Sequence, residues 1–345
     1  MKILSDRAEK VLQIIIHHYI KTASPVSSKM IVRDYGFGYS SATVRNIMSE
    51  LERLGYLNQP HTSAGRIPTD KGYRFYVDSI MEVQRLSLEE KRRIEEEYTR
   101  RSKEMEDIFQ HTSKLLSLVS HYAGFAIPPN LKNHTLRFFR LVHLGGRKTL
   151  MVLIFHFGVK HRIIEFSTPV TRRELEQLSS FLESNLRGKT LTEDTEKEML
   201  SLEFPEAMKG LIQEVFRAIS QFQSEDLYLD GSSNVFAEPE FANYKKTRQL
   251  FEVLERKRIL WKLLNRNIKG INVLIGEENP FPELSECSLV TTTCQIDKKS
   301  VGALGIIGPK RMEYSRMVSL VGYISDIIHR IFWEKKWKKR KQEII

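Results

Sequence analysis

Arg45 and Asn46 stand side by side in the stretch SSATVRNIMS, Ser40 to Ser49. Both residue types read bases: an arginine bonds guanine O6 and N7 together, an asparagine does the same to adenine N6 and N7, and Ala42 can touch a thymine methyl. That chemistry needs all three on one exposed face of a helix. Val44, Ile47, Met48, Leu51 and Leu54 recur at helical spacing and claim the buried face. Ala42, Arg45, Asn46 and Ser49 are thereby forced outward. Ser40, Ser41 and Thr43 fall at the helix N-terminus, where free N–H groups and the dipole favour phosphate. Beyond the stop at Gly55 comes the loop NQPHTSAGRIP, in which His61, Thr62, Ser63 and Arg66 are donors suited to backbone or minor-groove contact and Gly65 frees the backbone. Polar residues on one helix face more often just meet solvent. A helix, a glycine stop and a basic polar hairpin in succession are a much stronger sign of a DNA reader.

The elements that must hold this pair are short helices. Asp6 with Glu9 caps a first helix with Ala8, Val11, Leu12, Ile15, Ile16 and Tyr19 on one stripe. Ser24 with Pro25 opens a second, which Gly36 and Gly38 end. The third runs from Ser40 or Ser41 through Leu54, and a fourth starts at Thr69. Helix, turn, then an outward-facing helix is the helix-turn-helix plan, and the loop after Tyr56–Leu57 reads as its wing.

Beyond residue 83 the texture changes. Ser87 and Glu90 form a capping box, and no Gly or Pro follows until Gly124. Ile94, Tyr98, Arg101, Met105, Ile108, Thr112, Leu115 and Val119 step by four and three. This pattern fits a single amphipathic helix lying on its own domain, or a coiled coil that pairs two chains. The runs LRFFRLVHL, TLMVLIFHF and VKHRIIEF, with turn residues between, predict an antiparallel meander. Thr171 and Glu174 cap a helix ending near Gly188, another covers Leu211 to Phe222, LYLDG is a short strand, and a helix spans about 246–264. INVLIG, SLVTTTCQI and ALGIIG return to strand, before a final helix from about Tyr314 to Phe332. Strands on both sides of a mostly helical middle imply a β-sheet domain carrying an insertion.

With 54 Lys and Arg against 43 Asp and Glu, the chain has a formal net charge of +11, which suits an anionic partner. Its 345 residues allow two or three domains. Cys287 and Cys294 give neither a disulfide framework nor paired ligand spacing, so buried thiols in a reducing, cytoplasmic compartment are expected. The start lacks the apolar run of a signal peptide and no stretch is long enough to span a bilayer, so no membrane is expected. His17 and His18 beside the apolar stripe read as satisfied surface histidines, His156 and His161 have no acid or cysteine at ligand spacing, GALGIIG lacks the dinucleotide fingerprint, and no nucleophile–base arrangement is evident. No metal, cofactor or enzymatic activity is expected. The basic end WEKKWKKRKQEII reads first as a solvated helix end, next as non-specific DNA contact, and last as a contact with an anionic membrane surface.

SSATVRNIMSELERLGYLNQPHTSAGRIPTDKGYRFYVD closely resembles the N-terminal signature of the HrcA family, the bacterial heat-inducible transcription repressors. PVSSKMI resembles the preceding helix of that family, and GPKRMEYSRMVSLVGYISDII its C-terminal motif. The resemblance spans the chain and implies an α+β fold: an N-terminal winged helix-turn-helix at 1–83 and a GAF-like β-sheet domain, with a dimerisation domain inserted into the latter. On that reading 84–164 hold the linker helix and first part of the GAF-like domain. The insertion covers 165–265, and 266–345 hold the second GAF-like part and the basic tail. The resemblance also implies a homodimer on an inverted-repeat operator of double-stranded DNA upstream of chaperone operons, with activity tuned by the GroE chaperonin. The family's DNA-facing regions map onto Ser40 to Ser49 and His61 to Arg66. The rival reading is a GAF-type ligand-sensing or enzymatic protein whose N-terminal domain contacts protein.

Overall fold

A computed structural model describes residues 4–342, apart from 37, 62–63, 83, 102–104, 129–133, 156–157, 204–205, 223–226, 256–269 and 297–298. The architecture is α+β. Helix α1 (Asp6–Thr22) buries Val11, Leu12, Ile15 and Ile16 completely. Its cap is Ser5, one residue before the expected Asp6, with the hydroxyl accepting from the Ala8 amide at 3.3 Å. Helix α2 (Ser28–Tyr35) starts later than the Ser24–Pro25 signal predicts, because Ser27 is the cap. The cause lies outside the helix. Val26 exchanges both backbone hydrogen bonds with Arg66, at 2.8 and 2.9 Å, and a helical Val26 could not reach that partner. Helix α3 (Ser41–Arg53) is capped by Ser40, the first of the two starts that the sequence allows.

After α3 come two short antiparallel strands, β1 (Leu57–Asn58) and β2 (Ile67–Pro68), with Val26 bridged alongside at Arg66. Gly65 sits where this packing is closest: a Cβ there would lie 2.3 Å from the Val26 carbonyl oxygen. It serves close approach, not the backbone freedom predicted for it. Gly65→Ala should therefore cost about 1–3 kcal/mol of stability, as overpacking does, and lower the denaturation midpoint at constant slope. An unchanged midpoint would mean that the hairpin gives way freely. Helix α4 (Asp70–Phe75), capped by Thr69, runs on through a wider turn at Tyr76–Ile80.

The heptad stretch is not one continuous helix. It forms α5 (Leu88–Arg101) and α6 (Met105–Ser120), with the expected Ser87–Glu90 box in place. The Tyr98 hydroxyl lies 2.6 Å from Thr112 Oγ1. Fourteen residues of straight helix would separate them by roughly 21 Å, so the chain doubles back. The apolar stripe is satisfied within the chain: Ile94 and Tyr98 share a core with Ile108 and Leu115.

A five-stranded antiparallel sheet forms the central body. Its strands are β3 (Ala123–Ile127), β7 (Tyr228–Asp230), β8 (Ile271–Ile275), β9 (Cys287–Ile296) and β10 (Lys299–Pro309), in the order β7-β3-β10-β9-β8. The ALGIIG run is a buried part of β10. Helix α12 (Tyr314–Gln342) lies against β9 and buries Met317, Leu320, Val321, Ile324 and Ile328. Both cysteines are buried free thiols, each pushed up to about 12 by desolvation.

The meander β4 (Leu136–Gly145), β5 (Lys148–Phe155) and β6 (Gly158–Glu165) forms a separate sheet. Its inner face, with Phe139, Leu141, Met151 and Leu153, is buried, and β4 packs on α7 (Arg172–Leu186), which carries the expected Thr171–Glu174 capping box. Helices α8 (Glu193–Ser201) and α9 (Glu206–Phe222) follow. The sheet membership differs from expectation. The meander does not join the later strands, because β3 already has β10 on one side and β7 on the other. Helices α10 (Ser232–Phe236) and α11 (Tyr244–Glu255) lead back towards β8. The rest of the helix expected to 264 lies outside the described residues. Among the described residues, no helix is long and apolar enough to cross a membrane.

Candidate nucleic-acid interface

Helix α3 divides as its periodicity requires. Val44, Met48 and Leu51 are buried, whereas Ala42, Arg45, Asn46 and Ser49 are exposed. The side chains of Arg45, Asn46 and Ser49 make no hydrogen bond or ion pair with any described residue, so their polar groups face water. The hydroxyls at the helix start are partly engaged. Ser40 caps α3 by accepting from the Thr43 amide at 3.1 Å, and its oxygen lies 3.0 Å from Thr43 Oγ1. Ser41 Oγ is 2.9 Å from Ser28 Oγ, which ties α2 to α3. Sequence patterning did not single out Ser28. A serine in a first helical turn carries no sign of a partner thirteen residues away.

In the hairpin His61 is exposed, and its carbonyl accepts from the Ala64 amide at 2.8 Å. Gln59 closes the loop with a 3.0 Å bond to the Ala64 carbonyl. Thr62 and Ser63 lie outside the described residues. Arg66 departs from expectation. It is not a free, flexible cation: its Nε and a terminal nitrogen bond Glu52 Oε2 at 2.9 and 2.8 Å, and its side chain is only 16% exposed. Glu52, near the end of α3, thus clamps the helix to the base of the hairpin. Fourteen residues separate the partners, too far for any local signal in the sequence.

The clamp changes what removing Arg66 should do. A guanidinium already balanced by a carboxylate displaces few counterions from DNA. Arg66→Ala should therefore weaken binding to all sequences by loosening the hairpin, while the log–log salt slope stays constant. A slope lower by about one unit would mean that Arg66 leaves Glu52 for a phosphate on the duplex.

Charges of both signs border this face, since the acidic Glu50 is exposed on α3 itself. Lys29 and Arg53 are exposed at the start of α2 and the end of α3. Lys71 donates to the Leu54 carbonyl at 2.8 Å and lies over the Tyr56 ring. The face presents an exposed arginine and asparagine, side-chain types able to bond base edges, with hydroxyls at the helix start and a clamped hairpin beyond its end.

The family model and the curated relatives that match this chain agree on one family. The family model described as HrcA protein C terminal domain matches residues 106–318. The heat-inducible transcription repressor HrcA of Geobacter sulfurreducens is 35% identical over 335 residues, covering 95% of this chain and 98% of its own. That of Symbiobacterium thermophilum is 36% identical over 330 residues, covering 93% and 97%. A crystal structure described as that of a hypothetical protein at 2.2 Å resolution is similar at a TM-score of 0.64 and 25% identity, covering 96% of this chain and 99% of that one.

Proposed function

This chain belongs to the HrcA family of heat-inducible transcription repressors, negative regulators of heat-shock genes rather than enzymes, and from that membership we propose how it engages DNA. It binds an inverted-repeat operator as a cytoplasmic homodimer. Each protomer presents residues 1–83 as a winged helix-turn-helix, with α3 in the major groove. Arg45 and Asn46 read base edges, Ala42 and Ser49 line the same face, and Ser40, Ser41 and Thr43 meet phosphate. The wing contributes His61, Thr62 and Ser63, with Arg66 holding it in place through Glu52. The observation that carries this reading is the pairing of two exposed side chains of base-reading type on a helix whose other face is buried at Val44, Met48 and Leu51 and half-buried at Ile47.

Strand grouping supports a different division of the rest of the chain. Residues 84–127 and 228–332 supply the five-stranded sheet and its helices, the GAF-like body. Residues 128–227 form the inserted domain, in place of 165–265. The outward face of the insertion's sheet supports dimerisation. Register places Val142 and Ile163 on either side of Leu150, and Val159 beside Ile154. Val142, Val159 and Ile163 are 42%, 47% and 60% exposed. Apolar surface collected on one sheet face marks an interaction site, and a symmetric operator calls for a second copy of the same chain. The GroE chaperonin tunes activity by keeping the repressor competent, as the family resemblance implies.

The test is binding of the full chain to inverted-repeat and scrambled duplexes across salt, with and without the chaperonin. Preference for the repeat that steepens on adding chaperonin supports the reading. Equal binding to both duplexes at every salt concentration overturns it.

A further inference from the structure

The segment GPKRMEYSR, Gly308 to Arg316, joins β10 to α12 and reaches α1, α4, α5, α6, β9 and the segment after α10. Lys310 pairs with Asp70, at the start of α4, at 3.0 Å. Arg311 donates to the Ile20 carbonyl of α1 at 3.2 Å and also binds the carboxylates of Glu238 and Glu240, which follow α10. The Tyr314 ring packs 5.8 Å from that of Tyr73, and its hydroxyl is 2.7 Å from Ser288 Oγ. Arg316 reaches Glu90 on α5 and the Val119 carbonyl of α6, each at 3.2 Å.

The opposing surface closes the same junction. Arg74 forks onto Glu278 and also reaches the Val273 carbonyl in the middle of β8. Asp70 accepts from the Glu277 amide at 3.0 Å. Gly276, with φ of +53°, makes this possible: a Cβ there would fall 1.9 Å from Asp70 Oδ2. The DNA-binding module is thus docked through one face of α4, carrying Asp70, Tyr73 and Arg74, rather than hung on a loose linker.

We propose that this clasp fixes the angle of α3 to the body and thereby sets the half-site spacing that the repressor accepts. Asp70, Arg74, Glu278 and Lys310 act as positioning residues. The inference rests on the dimeric, inverted-repeat reading above. Each added base pair moves a half-site by about 3.4 Å and turns it by about 34°, since B-DNA repeats every 10–10.5 base pairs. A tethered module would follow that displacement. A clasped one cannot.

The experiment uses the full chain and a half-site recovered from a randomised duplex pool bound by the wild type. It is placed in inverted repeats whose spacer varies in one-base-pair steps, beside a duplex with a single half-site. The wild type should favour one spacing by about tenfold over spacers two base pairs longer or shorter, a fraction of what linked sites can gain. Glu278→Ala with Lys310→Ala lies wholly in the body, away from DNA. It should flatten the profile to within about threefold with single half-site affinity unchanged. Asp70→Asn keeps an acceptor for the Glu277 amide and should broaden the profile part of the way. A body variant that keeps the wild-type profile, or loses single half-site binding in proportion, overturns the clasp alone. A wild type that binds the repeat no better than the single half-site overturns the dimeric reading and the clasp with it.

Discussion

A glutamate on the outward face of the three-stranded sheet, as Ile163→Glu or Val142→Glu, is expected to leave the chain folded but monomeric. It should weaken binding to an inverted repeat by about 10²- to 10⁴-fold, the gain that effective concentration gives to two linked sites. The fold should survive because both positions point away from the core: Leu141, Met151 and Ile164 fill the inner face, and the substituted side chains begin in solvent. The dimer should not survive, because a carboxylate buried between two apolar sheets has no partner there and its desolvation is uncompensated. Sedimentation with an unaltered thermal transition checks the first half, and duplex titration the second. A dimer that persists in both variants would move the seam elsewhere. A fragment of residues 1–83 offers the complementary experiment. Val11, Leu12, Ile15, Val44 and Leu51 give it a core of its own, so it should be folded, monomeric and weak on DNA. A dimeric fragment, or one binding the full operator as tightly as the whole chain, would place self-association in the DNA-binding module.

Arg45→Ala and Asn46→Ala should each cost roughly 1–3 kcal/mol of discrimination at one base pair of the half-site. Binding to unrelated DNA should change little. Neither side chain is buried and neither has a partner among the described residues, so the unfolding midpoint should hold. Competition with duplexes mutated one position at a time reads the effect, as a loss of preference confined to one position per variant. Equal losses on specific and random duplexes would assign the residue to phosphate instead. The pair also separates two origins of affinity. Deleting Arg45 removes a charge and should lower the salt slope if it touches phosphate, whereas deleting Asn46 cannot.

What the sequence determined was the set of features governed by neighbours three and four residues away. Periodicity alone divided α3 into a buried face of Val44, Met48 and Leu51 and an exposed face of Ala42, Arg45, Asn46 and Ser49. The caps at Ser40, Thr69, Ser87 and Thr171 were legible for the same reason: a side chain satisfying an amide three residues on is a local event. The three-stranded meander was legible because its turns are short. Tertiary structure decided the rest. Val26 gave up the expected helix start because its amide and carbonyl could pair with Arg66, forty residues away. The heptad stripe folded back on itself because the partner it needed lay in α6 and not in a second chain. The meander became its own sheet because both sides of β3 were already taken. Arg66 lost its freedom to Glu52, and Asp70 and Arg74 found partners two hundred residues on. A charge or an apolar stripe states that a partner is required. Only the folded chain, by what it brings within a few ångströms, chooses which one.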